Sequence, residues 1–415
     1  MKPTVLIATT SRWFPTARLA MALSHAGCIV DAVCPGGHPL TRMNAVHRNY
    51  TYRGLMPLKS FAGAIAAARP DFVVPGDDLA TSHLHHLYER ERRGGKYGQW
   101  VCELIERSLG AAANFPMVYA RTAFIDLARQ EGIRAPKTEV IANLGDLRKW
   151  VARVGLPTVL KANGTSGGEG VRVVHTLEEA ERAFRDLQAP PLLARAAKRA
   201  LIDQDKSLVW ASLLRHRSVV NAQAFVPGRE ATSTVACWKG AVLASLHFEV
   251  VHKRSSAGPS SVLRLIENAE MAAAAEKMVR RLGLSGIHGF DFMLEEHAGN
   301  AHLIEINPRA TQVGHLALGP GHDLPAALYS AVSGEPVHAA PKVTENEIIT
   351  LFPQEWMRDP ASSFLTSGYH DVPWEEPELL RACVRRTWKL KFLDSRQDAL
   401  PALSTARISR SGRLQ

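Results

Sequence analysis

The stretch GIHGFDFMLEEHAGNAHLIEINPR, Gly286 to Arg309, alternates apolar and polar residues on either side of a polar break at Glu296 to Asn300, which predicts two strands joined by a turn. Residues i and i+2 of a strand share a face, so Glu305 and Asn307 point the same way. Pairing across a hairpin lets Asp291 join them from the first strand. Three converging oxygen donors, two of them anionic, suit a hard cation such as Mg²⁺, which keeps waters and completes its shell with substrate phosphates. Carboxylates facing outward from a half-exposed strand are the alternative. The apolar Leu303, Ile304 and Ile306 around Glu305, with Arg309 following at the same parity, favour the cation site.

A second motif lies upstream. In VLKANGTSGGEGVRVV, Val159 to Val174, Lys161 precedes Gly164, Gly167, Gly168 and Gly170, and the apolar alternation on both sides predicts strand, loop and strand. Glycine lets backbone N–H groups turn toward an anion without a side chain intervening. A P-loop needs its lysine after the glycines and at the opening of a helix, and a dinucleotide fingerprint needs a helix after its glycines. Neither fits a glycine-rich hairpin, and a plain flexible surface turn is the competing reading.

Taken together the motifs settle the hairpin. Lysine followed by a glycine hairpin, then QAFVPGRE (Gln223 to Glu230), then Asp291, Glu305, Asn307 and Arg309 occur in an order that resembles the ATP-grasp superfamily, over about Ala120 to Leu318. The resemblance implies an α/β and α+β fold, with a parallel N-terminal α/β domain, a two-subdomain ATP-grasp fold and ATP held between the subdomains. It implies that Lys161 contacts the α/β phosphates and adenine N7, and that the loop amides of Thr165, Ser166, Gly167 and Gly168 cover the β/γ phosphates. Ala224, Phe225 and Val226 would offer backbone groups to adenine, Gln223 would accept from its amino group where many members have a carboxylate, and Glu230 would accept from the ribose hydroxyls. Arg121 stands where a second phosphate-binding lysine is common. Asp291, Glu305 and Asn307 match the ligands of Mg²⁺, or of Mn²⁺ in its place, and Arg309 matches the arginine beside the transferred phosphate, making Arg309 and Lys161 the catalytic candidates.

The rest of the chain frames this unit. Its 415 residues, 46% hydrophobic and 22% charged, are those of a globular protein of two or three domains. The first hundred residues alternate strand and helix, and DFVVPGDD (Asp71 to Asp78) reads as a strand ending in a turn with two carboxylates. The expected division is 1–115 for the N-terminal α/β domain, 116–335 for the ATP-grasp domain with a lid at about 150–222, and 336–415 for an appendage with a basic tail. Thr176 and Glu179 form a capping box, and an Ala-rich helix is expected over about Leu263 to Leu282. A single strand is expected over VVNAQAFVPGRE, partnered by ATSTVACWKGAVLASLHFEV.

The net charge of +10 is concentrated in the tail: Arg381 to Arg413 holds nine Lys/Arg against two Asp. No RNA-binding aromatic strand accompanies it, which argues against nucleic acid as a partner. Five scattered cysteines without a CxxC pair suit a reducing cytoplasm, and no apolar run approaches a membrane span. His83, His85 and His86 lack a carboxylate cluster, so a polar helix face is expected rather than a metal site.

The resemblance implies an ATP-dependent ligase. A carboxylate oxygen attacks the γ-phosphate, and an amine or other nucleophile displaces phosphate from the acyl phosphate, forming a carbon–nitrogen bond with ADP and phosphate as products. Lys253, Arg254 and Ser256 in HKRSSAGPSS, with Thr311 and His315 in PRATQVGH, are the candidates for binding the small-molecule carboxylate and amine. A bicarbonate-using carboxylase or carbamoyl-phosphate former and a non-catalytic ATP-binding regulator are the rival readings.

Overall fold

The computed structural model describes residues 2–163, 170–189, 218–255, 258–336, 338 and 340–383. The N-terminal strands β1 (Thr4–Ala8), β2 (Ile29–Cys34), β3 (Arg48–Thr51) and β4 (Phe72–Pro75) form a fully parallel sheet in the order β3-β2-β1-β4. Such a sheet is covered on both faces, and the strand sequence shows it. Val5 and Ile7 enter a core with α1 (Pro15–His25), while Leu6 and Ala8 enter another with α2 (Pro57–Ala68), α3 (Asp78–Arg92) and α4 (Gln99–Leu109).

Helix α5 (Arg121–Gln130) leads into a four-stranded antiparallel sheet made of β5 (Thr138–Ile141), β6 (Thr158–Ala162), β7 (Val171–Val174) and β8 (Val220–Ala224), in the order β5-β8-β6-β7. Helices α6 (Leu144–Val154) and α7 (Leu177–Gln188) cover one face, with Trp150, Leu160, Phe184 and Ala222 among its buried residues. The capping box closes as expected: Thr176 Oγ1 accepts from Glu179 N at 3.2 Å, and Glu179 Oε2 accepts from His175 N at 2.8 Å. The opposite face carries Val159 and Lys161 of β6 beside Gln223 and Asn221 of β8, their partners in register. This small sheet starts at Thr138, before the expected lid boundary near 150.

The large sheet runs β13-β12-β9-β10-β11-β14-β15, with β9 (Gly228–Trp238), β10 (Ala241–Lys253), β11 (Ser260–Leu265), β12 (Gly286–Glu295), β13 (Ala301–Asn307), β14 (Ile348–Leu351) and β15 (Tyr369–Asp371). Helix α8 (Ala269–Leu282) packs on it together with α5 around Phe290, Phe292 and Leu303. The helix expected from Leu263 begins six residues later, because Ser260–Leu265 is spent as β11 between β10 and β14. Likewise VVNAQAFVPGRE is no single strand: β8 ends at Ala224, and Gly228 opens β9 in the other sheet. A Cβ on Gly228 would lie 2.0 Å from Leu294 O, and its φ is +153°, so the crossover demands glycine.

Segment 336–383 corrects the appendage reading. β14 pairs with β11 and β15 with β14, and Ile349, Leu351, Phe352 and Leu379 are buried in the core that also holds Val5, Ile7 and Phe72. That one core joins the N-terminal sheet to the large sheet. The tail beyond Cys383 lies outside the described residues. None of the five cysteines is in a disulfide, and among the described residues no helix is long and apolar enough to cross a membrane.

Candidate active site

The hairpin β12–β13 builds the centre of the site through an irregularity. Asp291 stands opposite Glu305 and Gly289 opposite Asn307, but Phe292 is paired with Leu303, so Ile304 is an extra residue in β13. Strict alternation from Ala301 and Leu303, both core residues, would have driven Glu305 and Asn307 into the same core. The bulge flips the parity: Ile306 takes the inward place, and Glu305 and Asn307 turn to the face that carries Asp291. At Gly289 a Cβ would meet Thr311 Cγ2 at 2.4 Å and Asn307 Cβ at 3.3 Å, so glycine leaves the room these side chains occupy.

Hydrogen bonds aim the donors. Asn307 Nδ2 donates to Asp291 Oδ2 at 2.9 Å, Thr232 Oγ1 donates to Asp291 Oδ1 at 3.0 Å, and Arg309 Nη2 donates to Asn307 Oδ1 at 3.3 Å. Arg121, the first residue of α5, sets Nη1 2.7 Å from Glu305 Oε2. Lys161 is buried on β6 and faces the same group electrostatically: burial pushes its pKa down to about 8 and Arg121 adds to the fall, while Glu305, Asp291 and Glu230 pull the other way. Burial, helped by repulsion from Glu305, pushes Asp291 up to about 6. Burial would raise Glu305 too, but Arg121, Lys161 and Arg309 outweigh it and hold this carboxyl below its ordinary value. Two carboxylates and three cations therefore meet where the small sheet, α5 and the end of β13 converge.

Asn221, which no motif singles out, fixes the small-sheet side. Its Oδ1 accepts from Thr122 Oγ1 at 3.0 Å, and its Nδ2 donates to Lys161 O at 3.3 Å and to Asn163 Oδ1 at 2.8 Å. One buried amide thus joins the helix of Arg121 to the strand of Lys161 and the root of the glycine loop. The loop residues Thr165, Ser166, Gly167 and Gly168 lie outside the described residues.

The nucleotide-side candidates cluster at the crossover. Gln223 is buried, and its Nε2 donates to Thr138 Oγ1 at 3.1 Å. Ala224 ends β8, and Phe225 and Val226 belong to neither sheet, so their peptide groups are not used in either ladder. Glu230 is half-exposed and ion-paired with Lys253 Nζ at 2.6 Å.

The substrate candidates are not brought together. Lys253 is the last residue of β10 rather than part of a loop facing the metal strands, and Glu230 engages it. Arg254 is exposed in the β10–β11 hairpin, where its N–H donates to Pro259 O, and Ser256 lies outside the described residues. Thr311 shares a 2.6 Å hydrogen bond with Thr234, close behind Gly289. His315 is corrected outright: it is buried, with Nε2 2.6 Å from Asp371 Oδ2, and Asp371 also pairs with Arg18. Its imidazole ties the segment after β13 to α1 and β15. Among the described residues no cluster of three His, Cys, Asp or Glu side chains forms a metal site. His83 meets Tyr52 Oη, and His85 is buried, stacked on Phe115 and hydrogen-bonded to Tyr119 Oη, so of the three histidines expected on a polar helix face only His86 is exposed.

Residues 121–318 match the family described as carbamoyl-phosphate synthase L chain, ATP binding domain. The chain is 31% identical over 121 residues to a formate-dependent phosphoribosylglycinamide formyltransferase of Flavobacterium psychrophilum, covering 29% of this chain and 28% of that protein. It is 25% identical over 264 residues to the N-terminal section of a carbamoyl phosphate synthase large chain of Aquifex aeolicus, covering 61% of this chain and 42% of that protein. The chain thus spans less than half the length of these curated relatives. A biotin carboxylase domain of Hydrogenobacter thermophilus 2-oxoglutarate carboxylase, solved with MgADP, ADP and bicarbonate, superposes with a TM-score of 0.57 at 14% identity, covering 82% of this chain and 71% of that one. This likeness is one of fold. Residues 121–318, just under half of the chain, thus resemble an ATP-binding domain of the ATP-grasp type.

Proposed function

We propose that the protein is an ATP-dependent ligase that activates a carboxylate as an acyl phosphate for attack by an amine. The observation that carries this reading is the meeting of Lys161, Arg121 and Arg309 with Asp291, Glu305 and Asn307 between the two sheets. The donor set fits a divalent cation. Asp291 and Glu305 stand opposite each other, and burial, helped by repulsion from Glu305, raises Asp291, a strain that a nearby dication relieves. Asp291, Glu305 and Asn307 would hold Mg²⁺, with Mn²⁺ as a substitute, which would supply positive charge to offset that on the transferred phosphoryl group.

Lys161 and Arg121 would bind the phosphates, and Arg309 would stabilise negative charge as the carboxylate oxygen attacks the γ-phosphorus. Phe225 and Val226 would present backbone groups to adenine, Gln223 Oε1 would accept from its amino group, and Glu230 would receive the ribose hydroxyls. The loop from Thr165 to Gly168 would cover the phosphates and keep water from the acyl phosphate. The amine nitrogen then attacks the acyl carbon, and phosphate leaves with the original carboxylate oxygen.

Bicarbonate is the second candidate for the acid, favoured by the carbamoyl phosphate synthase and carboxylase names among the similar proteins. Phosphate release, measured over a panel of acids that includes bicarbonate, each with and without amines, tests the proposal. A ligase releases phosphate only when the acid is present and gains turnover with one amine. Equal release without any acid would overturn the reading.

A further inference from the structure

The turn GDD, Gly76 to Asp78, pairs two carboxylates at the end of β4, and the site described above uses neither. The structure divides their work. Asp77 caps α3, accepting from Ala80 N at 2.8 Å, and also accepts from Thr9 Oγ1 at 2.7 Å, Thr10 N at 2.6 Å and Thr10 Oγ1 at 2.8 Å. It is consumed in building its own loop. Asp78 reaches instead across to the end of β13, where its Oδ1 accepts from Arg309 Nε at 3.1 Å.

Two neutral hydrogen bonds clamp the same stretch to the N-terminal domain. Ala310 N donates to Pro75 O at 3.0 Å, and Thr81 Oγ1 donates to Pro308 O at 2.7 Å. The backbone on both sides of Arg309 is therefore fixed, and Asp78 fixes the head group. Arg309 also feels Asp291, and its charge lowers Glu305, so an anionic alternative to Asp78 lies close by. A guanidinium released from Asp78 would settle on the carboxylates assigned to the cation.

We propose that Asp78 is a positioning residue that holds the Arg309 guanidinium off Asp291 and Glu305, keeping those carboxylates open to the cation and the arginine aimed at the transferred phosphate. This rests on the metal and phosphate assignments proposed above. It makes the N-terminal domain a supplier of part of the phosphoryl-transfer machinery. A purely structural Asp78 would act only as an acidic residue favourable in the first turn of α3.

The test measures Mn²⁺ affinity by electron paramagnetic resonance in the presence of ADP, for wild type, Asp78→Ala, Asp78→Asn, Arg309→Ala and the Asp78→Ala/Arg309→Ala double variant, with Glu305→Gln as control. Asp78→Ala is expected to weaken Mn²⁺ by about 10–100-fold, the range for losing an outer partner of a metal site. Asp78→Asn, which keeps an oxygen for Arg309 Nε, falls between it and wild type. Removing Asp78 in the Arg309→Ala background changes nothing further, because the competing cation is gone. Wild-type Mn²⁺ affinity in both Asp78 variants, or the same added loss in the Arg309→Ala background, overturns the proposal. If Glu305→Gln also binds Mn²⁺ as wild type does, the metal assignment itself falls; if only Glu305→Gln loses Mn²⁺, the role of Asp78 alone falls.

Discussion

Raising the pH from about 7 to about 9 probes the phosphate contact of Lys161 without changing an atom of the chain. Burial brings this lysine from the ordinary value of 10.5 to about 8. About nine tenths of the molecules then carry the ammonium at pH 7 and about one tenth at pH 9. A nucleotide that requires the ammonium must recruit a proton, and each pH unit above the pKa costs about 1.4 kcal/mol, or a tenfold loss of affinity. The dissociation constant of ATP is therefore level below about pH 7 and approaches a tenfold rise per unit near pH 9. Titration calorimetry in two buffers of different ionisation enthalpy reads both the affinity and the proton taken up. Stability of the ligand-free protein moves the opposite way. The unfolded lysine keeps its proton up to 10.5 while the folded one gives it up near 8, so the unfolded state binds more protons in that window and stability rises with pH across it. The opposite signs separate a lost phosphate contact from alkaline unfolding. Level affinity up to pH 9, or the same slope in Lys161→Met, refutes the assignment.

Glu305→Gln removes an anionic donor from the site face of β13, outside the packed core, so calorimetry should show Mg²⁺-dependent ATP binding lost while the circular dichroism spectrum stays native; retained Mg²⁺ dependence contradicts the metal set. Gly228→Ala forces a side chain into Leu294 O at positive φ and should lower stability by at least about 1–3 kcal/mol in denaturant unfolding, whereas an unchanged midpoint would show that the crossover can relax. Asp371→Ala strands Arg18 and His315 and should cost roughly 3–5 kcal/mol in the same assay with ATP affinity unaltered. In wild type, burial pushes Asp371 up but His315 and Arg18 hold it below the usual carboxylate range, so this contribution is present at neutral pH and lost as the pH falls through its folded pKa.

Much of this site was readable because its motifs are local. Lys161 on its strand, the Asp291 to Arg309 hairpin and the start of α5 at Arg121 follow from apolar alternation, turn residues and order along the chain. Local pattern could not reveal the bulge at Ile304: from Leu303 onward, strict alternation carries Glu305 inward, and only the pairing partner decides the parity. The same limit explains His315. A histidine after Arg309 reads as a site residue until Asp371, 56 positions later, turns out to lie beside it. Segment 336–383 read as an appendage because its short strands are broken by proline- and tryptophan-bearing loops, yet β14 pairs with the distant β11 and β15 pairs with β14. Asp78 and Asn221 act through contacts 231 and 99 residues away, for which no spacing rule exists.

The fate of the carboxylate oxygen tests acyl-phosphate chemistry most directly. The acid that supports phosphate release, bicarbonate included, is supplied with oxygen-18 in its carboxylate, and the released phosphate is analysed by mass spectrometry. Attack by the carboxylate on the γ-phosphorus, followed by displacement at the acyl carbon, carries one labelled oxygen into each phosphate. Unlabelled phosphate from the labelled acid, with oxygen-18 appearing instead when the solvent water is labelled, would mean that water attacks ATP and that the protein does not activate a carboxylate.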